Sequence, residues 1–297
     1  MFHRIYLFLA AAFLLTSCSI ANLQTDDLAE GRVANAEQKG RELLRHSYEK
    51  MGYAALAETD VYEATARFTW SPVWSAMPMN SLPGAKNKDI QFRFATNTFD
   101  GQLEFLEGPK IGEIKGVQSF QTYERAAAGA PVEDLGSKRY PWGLATYHYL
   151  LEAPMRLLNA PLIRYAGERK FDGQTYDLVF VTWGDGTQRR DYDQWLVYIN
   201  RATGFSDLAE VTITDFFLPM PGGMKNATVR FPNRTQTSIG AWLPTQAIIQ
   251  LGHPKENLEK DVYTINFRDY RFDGFAREVL YPLEGVAFLG DAKLAGE

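Results

Sequence analysis

The stretch DQWLVYINRATGFSDLAEVTITDFF, residues 193–217, contains two apolar runs on either side of a short polar turn. The turn is Arg201-Ala202-Thr203-Gly204, and both runs are rich in the aromatic and β-branched residues that favour strands. Two such runs joined by a short turn that contains glycine are typical of a β-hairpin. This stretch therefore predicts a chain built from antiparallel strands.

Similar patterns continue on both sides of the hairpin. Residues Tyr62 to Trp70 alternate between larger apolar and more polar side chains, which is the period of a strand. The dipeptides Asp100-Gly101 and Asp172-Gly173 are strong hairpin signals. Further strand patterns follow in GAWLPTQAIIQLG (240–252) and KDVYTINFRDYRFDG (260–274). Together these patterns predict about ten strands joined by short polar turns, as in an antiparallel meander.

Two segments have helical rather than strand periodicity. In the first, Asn35 and Gln38 have the spacing of a capping box, and Gly52 stands where a helix is expected to end. The second, residues 140–161, carries an apolar stripe, and Pro154 is expected to kink or split that helix. Because the second helix interrupts the meander, we expect it to lie across a sheet face or to close a barrel mouth, as a lid.

The N-terminus has the layout of a secretory signal, a basic start followed by an apolar run that is too short to span a bilayer. The run ends in Leu15-Thr16-Ser17-Cys18, which resembles the bacterial lipobox. This resemblance implies a signal peptide at residues 1–17, cleavage before Cys18 and acylation of that cysteine. The alternatives are an ordinary signal or a buried apolar helix, with Cys18 incidental. Residues 18–34 are then expected to form a lipid-anchored flexible tether, and residues 35–297 a single domain.

The charge and the titratable residues exclude several classes of function. Removing residues 1–17 takes away Arg4 and no acid, which lowers the formal net charge from −5 to −6 and argues against nucleic acid as a partner. The remaining histidines, His46, His148 and His253, have no metal-ligand spacing, and no nucleophile motif is present. We therefore expect no enzyme, no metal site and no cofactor. An enzyme built from scattered acids is the least favoured alternative.

A predicted turn at residues 189–195 carries two acidic residues beside two arginines. Asp191 and Asp193 follow Arg189 and Arg190 in the segment RRDYDQW. This group is either an ion site or, as we favour, a solvated turn with local salt bridges.

Apolar residues in turn-rich segments are the most informative feature for function. Such segments occur at residues 69–84 and 215–226. Apolar loops either fold back into a cavity or contact a partner or a membrane. Together with the stripe on the second helix and one face of the strand at 89–96, they give the candidate ligand-lining residues Trp70, Trp74, Phe92, Phe94, Leu144, Tyr147, Leu151, Met155, Phe216 and Phe217.

The order of these elements resembles the LolA/LolB-like superfamily of bacterial lipoprotein and lipid carriers. The matching pattern is YDLVFVTW, then the hairpin around Asn200 to Gly204, then the strand from Gly240 to Pro244, and the closing strand YTINFRDYRFD. The resemblance implies a mainly β (α+β) fold, an unclosed antiparallel β-barrel with helices covering its concave face. No ligand-binding residue of that family can be matched to a position here.

These observations favour a non-enzymatic lipoprotein of the bacterial cell envelope that binds a lipid or a lipoprotein acyl chain inside a half-barrel. Ser19 follows the cysteine where lipoproteins of the inner membrane often carry Asp, which implies anchoring in the outer membrane, facing the periplasm. The partners would be the membrane, through acylated Cys18, and the lipid. The alternative is an interaction module whose barrel is filled by side chains and whose loops bind another envelope protein.

Overall fold

One antiparallel sheet dominates the computed structural model, which describes residues 21–75, 80–189, 191–214, 216, 226–255 and 261–288. Within these residues the sheet has thirteen strands. Their bounds are β1 Val61–Trp70, β2 Asp89–Ala95, β3 Gly101–Phe105, β4 Ile114–Gln118, β5 Gln121–Arg125, β6 Glu133–Asp134, β7 Leu162–Phe171, β8 Gln174–Thr182, β9 Gln194–Asn200, β10 Ser206–Thr212, β11 Asn226–Gln236, β12 Trp242–Leu251 and β13 Tyr263–Phe272.

The sheet consists of two meanders joined at one seam. Strands β1 to β6 pair in chain order, strands β7 to β13 do the same, and β1 pairs with β13. Strands β6 and β7 are the two edges and do not pair with each other, so the curved sheet stays open. The predicted mainly β, unclosed architecture is confirmed. The strand number is thirteen rather than about ten, because the short strands β4 to β6 and the strand β11 lack a clear pattern in the sequence.

Five α-helices accompany the sheet in the part of the chain that is described. They are α1 Asp26–Ala29, α2 Ala36–Lys50, α3 Tyr53–Ala57, α4 Pro72–Ser75 and α5 Arg139–Arg156, with 3-10 turns at Leu157–Asn159 and Arg277–Leu280. Among the described residues, no helix combines the length and the apolar character that crossing a membrane requires.

The sequence predicts the C-terminal end of α2 correctly but not its N-terminal cap. Gly52 adopts a positive φ of 71° directly after the last turn, as expected for a residue that ends a helix. At the other end, the predicted capping box does not form. Asn35 takes a left-handed conformation without a side-chain capping bond, and the side chain of Gln38 donates to Glu42 instead.

Helix α5 crosses the sheet from one edge to the other. It connects β6 to β7, which are the two edge strands, so the chain has to run over one face of the sheet. The helix continues through Pro154 as far as Arg156, and the prediction that this proline splits it is wrong. Because Pro154 lies near the end of the helix, the ring removes only one bond and leaves the preceding turns intact.

The two faces of the sheet differ in character. The inner face, which α2, α3 and α5 cover, holds the main apolar core around residues such as Tyr62, Phe68 and Leu151. On the outer face of the first meander, Arg93 lies between Glu63 (3.1 Å) and Glu104 (2.9 Å). The outer face of β7 to β10 instead carries a second apolar cluster, which the N-terminal residues Leu23 and Leu28 join.

The N-terminal segment packs on the outer face of the second meander. The amide of Leu23 donates to Oε1 of Gln194 at 2.9 Å, and Oγ1 of Thr25 donates to the carbonyl of Ala166 at 2.7 Å. The sequence predicts a flexible tether at residues 18–34; within this segment Leu23 is buried and Leu28 is partly buried against the sheet. The predicted signal peptide and Cys18 lie outside the described residues.

Candidate functional site

A cavity of about 550 Å³ lies between α5 and the inner face of the sheet. One wall is formed by the side of α5 that carries Trp142, Ala145 and Tyr149. The other wall is formed by the ends of β1 and of β8 to β13, from Trp70 across to Trp195. The cavity therefore extends along the helix and crosses the ends of several neighbouring strands.

The cavity exists because α5 packs closely against only part of the sheet. Its backbone lies closest to β3, β4 and β5, which belong to the first meander. The apolar stripe that begins at Leu144 faces this contact and is buried in the core. The adjacent side of the helix, which faces the second meander, lines the open volume.

Aromatic side chains line the cavity on both sides. The rings of Trp70 and Tyr263 stack with centroids 4.5 Å apart. The ring of Tyr149 lies 5.2 Å from that of Trp195, so it contacts the opposite wall. At one end of the cavity, Trp142 meets Phe216 edge to face at 4.6 Å. Aliphatic residues complete the wall, namely Leu150, Val211, Ile213, Val229, Ile249, Leu251 and Val262.

A row of hydroxyl groups is the first polar feature of the wall. Oη of Tyr147 donates to Oη of Tyr263 at 3.1 Å and lies 3.3 Å from Oγ of Ser81. All three residues line the cavity. Burial raises the pKa of both tyrosines, so the hydroxyls stay neutral at ordinary pH. They can act as hydrogen-bond donors and acceptors in an otherwise apolar site.

Asp193 is the second polar feature and ties two strand ends together. One of its carboxylate oxygens accepts hydrogen bonds from Oγ1 of Thr212 at 2.9 Å and from Oγ1 of Thr214 at 2.8 Å. Arg189 lies 3.4 Å from Asp185, which makes a local salt bridge in the same loop. No cluster of three metal-ligating side chains occurs among the described residues. The choice between an ion site and a solvated turn at Asp191 and Asp193 stays a prediction.

Beneath the cavity, α5 carries a buried charged triad. His148, Glu152 and Arg156 follow at intervals of four residues and are at most 1% exposed. Nε2 of His148 lies 2.9 Å from one oxygen of Glu152, and Nε of Arg156 donates to the other at 2.8 Å. The guanidinium also lies over the rings of Phe99 (4.7 Å) and Tyr149, and it reaches the cavity wall.

The triad has the electrostatics of a structural group. Burial lowers the pKa of the His148 ring, which is stacked on Phe94 with centroids 4.2 Å apart. Burial alone would raise the pKa of Glu152, but His148 and Arg156 hold it below its usual value. The stable arrangement is thus a neutral histidine and an ion pair between Glu152 and Arg156. Because His148 is fully buried, it has no access to a substrate in the cavity.

The structure brings three of the predicted lining residues into the cavity wall, namely Trp70, Tyr147 and Phe216. Trp74 is partly buried against the main core. Five others are packed inside that core: Phe92, Phe94, Leu144, Leu151 and Met155. Phe217 and Cys18 lie outside the described residues. Whether any of these residues binds a ligand stays a prediction.

Sequence reasoning missed most of the wall. The side of α5 that faces the cavity includes Trp142, Ala145, Thr146 and Tyr149, a mixed set without an apolar stripe. The opposite wall comes from one or two residues near the ends of β1 and of β9 to β13, and from Trp183, which follows β8. A signal was present only in the run Trp195–Ile199, whose continuous apolar character indicates a strand that is buried on both faces.

Comparison with known proteins gives a likeness of fold. No family model matches the chain, and no curated protein matches it. Similar solved structures include a LolA superfamily protein from Nitrosomonas europaea, with 12% identity and a TM-score of 0.49 over 83% of this chain and 98% of that chain. A DUF1329 family protein from Desulfovibrio piger has 11% identity and a TM-score of 0.48 over 84% of this chain and 98% of that chain.

Proposed function

We propose that this protein is a non-enzymatic lipoprotein of the bacterial cell envelope that binds a hydrophobic ligand, a lipid or a lipoprotein acyl chain, in the cavity beside α5. The open, aromatic-lined volume between α5 and the second meander carries the proposal. Its size falls within the range of about 300–1,000 Å³ that is usual for small-molecule pockets.

The chemistry of the wall suits an acyl chain. Each CH₂ group that leaves water contributes about 0.8 kcal/mol, before the costs of binding are subtracted. Apolar burial has no direction, so it discriminates poorly between chains of similar length. The hydroxyls of Tyr147 and Tyr263 are the groups that could accept or donate a hydrogen bond to a carboxyl or ester at one end of the ligand.

The open volume also favours binding over the interaction module. A module with a filled barrel would have side chains across the space between the helix and the sheet. Here a volume of about 550 Å³ stays open between α5 and strands β8 to β13. The proposal places the protein at the outer membrane, facing the periplasm, through acylation of Cys18.

A cavity-filling substitution tests the proposal. Ala145 lies on α5 and lines the cavity, so Ala145→Trp places a large ring in the open volume. We expect wild-type protein to bind a fluorescent fatty acid and the variant to bind it at least tenfold more weakly, since the indole occupies the space of the chain (about 1.4 kcal/mol per factor of ten). Binding is measured by fluorescence titration, and co-purified lipid by native mass spectrometry.

The matched control is Ala54→Trp, which adds the same ring at an exposed position of α3. It should leave both binding and the melting temperature unchanged. If wild-type protein neither binds the probe nor retains lipid after gentle purification, the proposed function is wrong.

A further inference from the structure

The N-terminal segment is fixed to one particular loop of the sheet. The amide of Leu23 donates to the side chain of Gln194, the first residue of β9. The side chain of Gln24 donates to the carbonyl of Gly186, in the loop between β8 and β9. Leu23 itself is 3% exposed, within the outer apolar cluster. The chain therefore reaches the body of the protein beside the loop of residues 183–193.

This loop is also part of the cavity wall. Trp183, Tyr192 and Asp193 line the cavity, and so does Trp195, the neighbour of Gln194. Successive residues of a strand point to opposite faces, so Gln194 holds the N-terminal segment outside while Trp195 faces the cavity inside. The N-terminal segment is thus attached to one face of the start of β9, and the cavity lies on the other face.

The distance to the anchor is short. Five residues separate Cys18 from Leu23, and an extended chain covers at most about 3.6 Å per residue, or about 18 Å in total. An acyl group on Cys18 would hold the loop of residues 183–193 within that distance of the bilayer surface. Such a short connection restricts how the body can turn relative to the membrane.

The rim of the cavity also exposes apolar and aromatic side chains. Tyr192, which lines the cavity, is 37% exposed. Trp142 and Trp183 are half-buried in the wall. Tryptophan and tyrosine are enriched at membrane interfaces, because their rings are apolar and carry a polar tip. At the opposite end of β9, the turn begins with the exposed residues Arg201, Ala202 and Thr203, and the nearby rings of Phe205 and Trp242 pack on each other.

We infer that this rim, defined by Trp142, Trp183 and Tyr192, faces the phospholipid bilayer in which Cys18 is anchored. The inference rests on the proposed function and deepens it. A lipid would pass between the bilayer and the cavity across the rim, without exposing its acyl chain to bulk water. The partner of this surface is the membrane itself, and a protein partner there is an outcome that the test can reveal.

Fluorescence quenching on the acylated full chain tests this orientation. Tyr192→Cys and Ala202→Cys place a thiol-reactive bimane at opposite ends of β9, about 20 Å apart. Acylated Cys18 leaves the introduced cysteine as the single free thiol. On vesicles of phosphatidylethanolamine and phosphatidylglycerol with nitroxide-labelled lipid, we expect quenching to be several-fold stronger at position 192 than at position 202.

The outcomes separate this inference from the proposed function. Equal quenching at the two positions, or stronger quenching at 202, overturns the orientation, while fatty-acid binding by the same labelled proteins would still support the carrier. Strong quenching at 192 in a protein without lipid in its cavity supports the orientation and contradicts the carrier. Protection of position 192 only when envelope extract is added would indicate a protein partner and overturn the inference. Mass spectrometry of the purified chain checks the acyl group, and its absence from Cys18 also overturns the inference.

Discussion

His148 links the stability of the protein to pH. Its ring is buried between Phe94 and Glu152, and burial lowers its pKa although Glu152 lies beside it. In the unfolded chain a histidine has a pKa of about 6.5. Below this pH the unfolded state binds a proton that the folded state does not, so the free energy of unfolding falls as the pH falls. The pKa of Glu152 is also lowered in the folded state. Protonation of this carboxylate therefore reduces the free energy of unfolding further, but only at the lower pH values where carboxyl groups titrate.

We expect the variant His148→Gln to lose this dependence. Glutamine keeps a donor for Glu152 and does not titrate, so the free energy of unfolding should change less between about pH 7 and about pH 5. Urea unfolding at several pH values measures the slope. His46→Gln, at an exposed position of α2, should keep the wild-type slope. A slope of His148→Gln equal to that of the wild type would mean that the ring has the same pKa in the folded and the unfolded protein.

At the scale of elements, α2 lies so close to β7 that one glycine is required. A Cβ atom on Gly40 would lie 2.6 Å from the carbonyl carbon of Arg164 and 2.6 Å from the amide nitrogen of Tyr165. These are backbone atoms, so the helix would have to move away from the strand. We expect Gly40→Ala to lower the free energy of unfolding by about 1–3 kcal/mol, as overpacking usually does.

The control for this substitution is Gly274→Ala, where the added carbon meets only the side chain of Arg271 at 3.9 Å. Thermal unfolding of both variants measures the difference. Similar melting temperatures for Gly40→Ala and the wild type would show that α2 can move away from β7 without loss of stability. The close approach of Gly40 to the backbone of β7 would then not be required for the fold.

Local signals predicted the elements well. Asp172-Gly173 predicted a tight turn, and both residues have positive φ between β7 and β8, as a two-residue hairpin of this kind requires. The cavity could not be predicted in the same way. It depends on which side of α5 faces the second meander. Of the stripe, Leu144 and Leu151 pack in the core, while Tyr147 also lines the cavity. The crossing of α5 from edge to edge is a property of the topology, which no short stretch of sequence encodes.

At the scale of the whole molecule, the N-terminal segment completes the outer side of the sheet. Leu23 is buried in the second apolar cluster, with residues of β7 to β10. We expect Leu23→Asp to lower the free energy of unfolding by about 1.5–3 kcal/mol, since the substitution removes a buried leucine and leaves a charge against apolar surface. Increased binding of a dye that reports exposed apolar surface, together with urea unfolding, measures the effect.

Ala34→Asp is the control, because Ala34 is exposed in the same segment and contributes nothing to the cluster. If Leu23→Asp resembles this control, the segment is only loosely attached. The sequence of this segment is polar and has no clear period, which is why a tether was predicted. Its attachment depends on the second apolar face of β7 to β10, a feature of the folded sheet.

The seam between β1 and β13 has a consequence for the order of folding. The two strands come from opposite ends of the domain, and Tyr62 pairs with Phe272. As the chain emerges from its N-terminus, β1 to β6 can pair among themselves while β1 still presents an open edge. Such an edge can pair wrongly until β13 is present. Among the described residues β13 is the last strand, so the seam forms only after the other twelve strands have been made, and long-range pairing of this kind is slow. A chain interrupted before β13 would therefore be prone to aggregation.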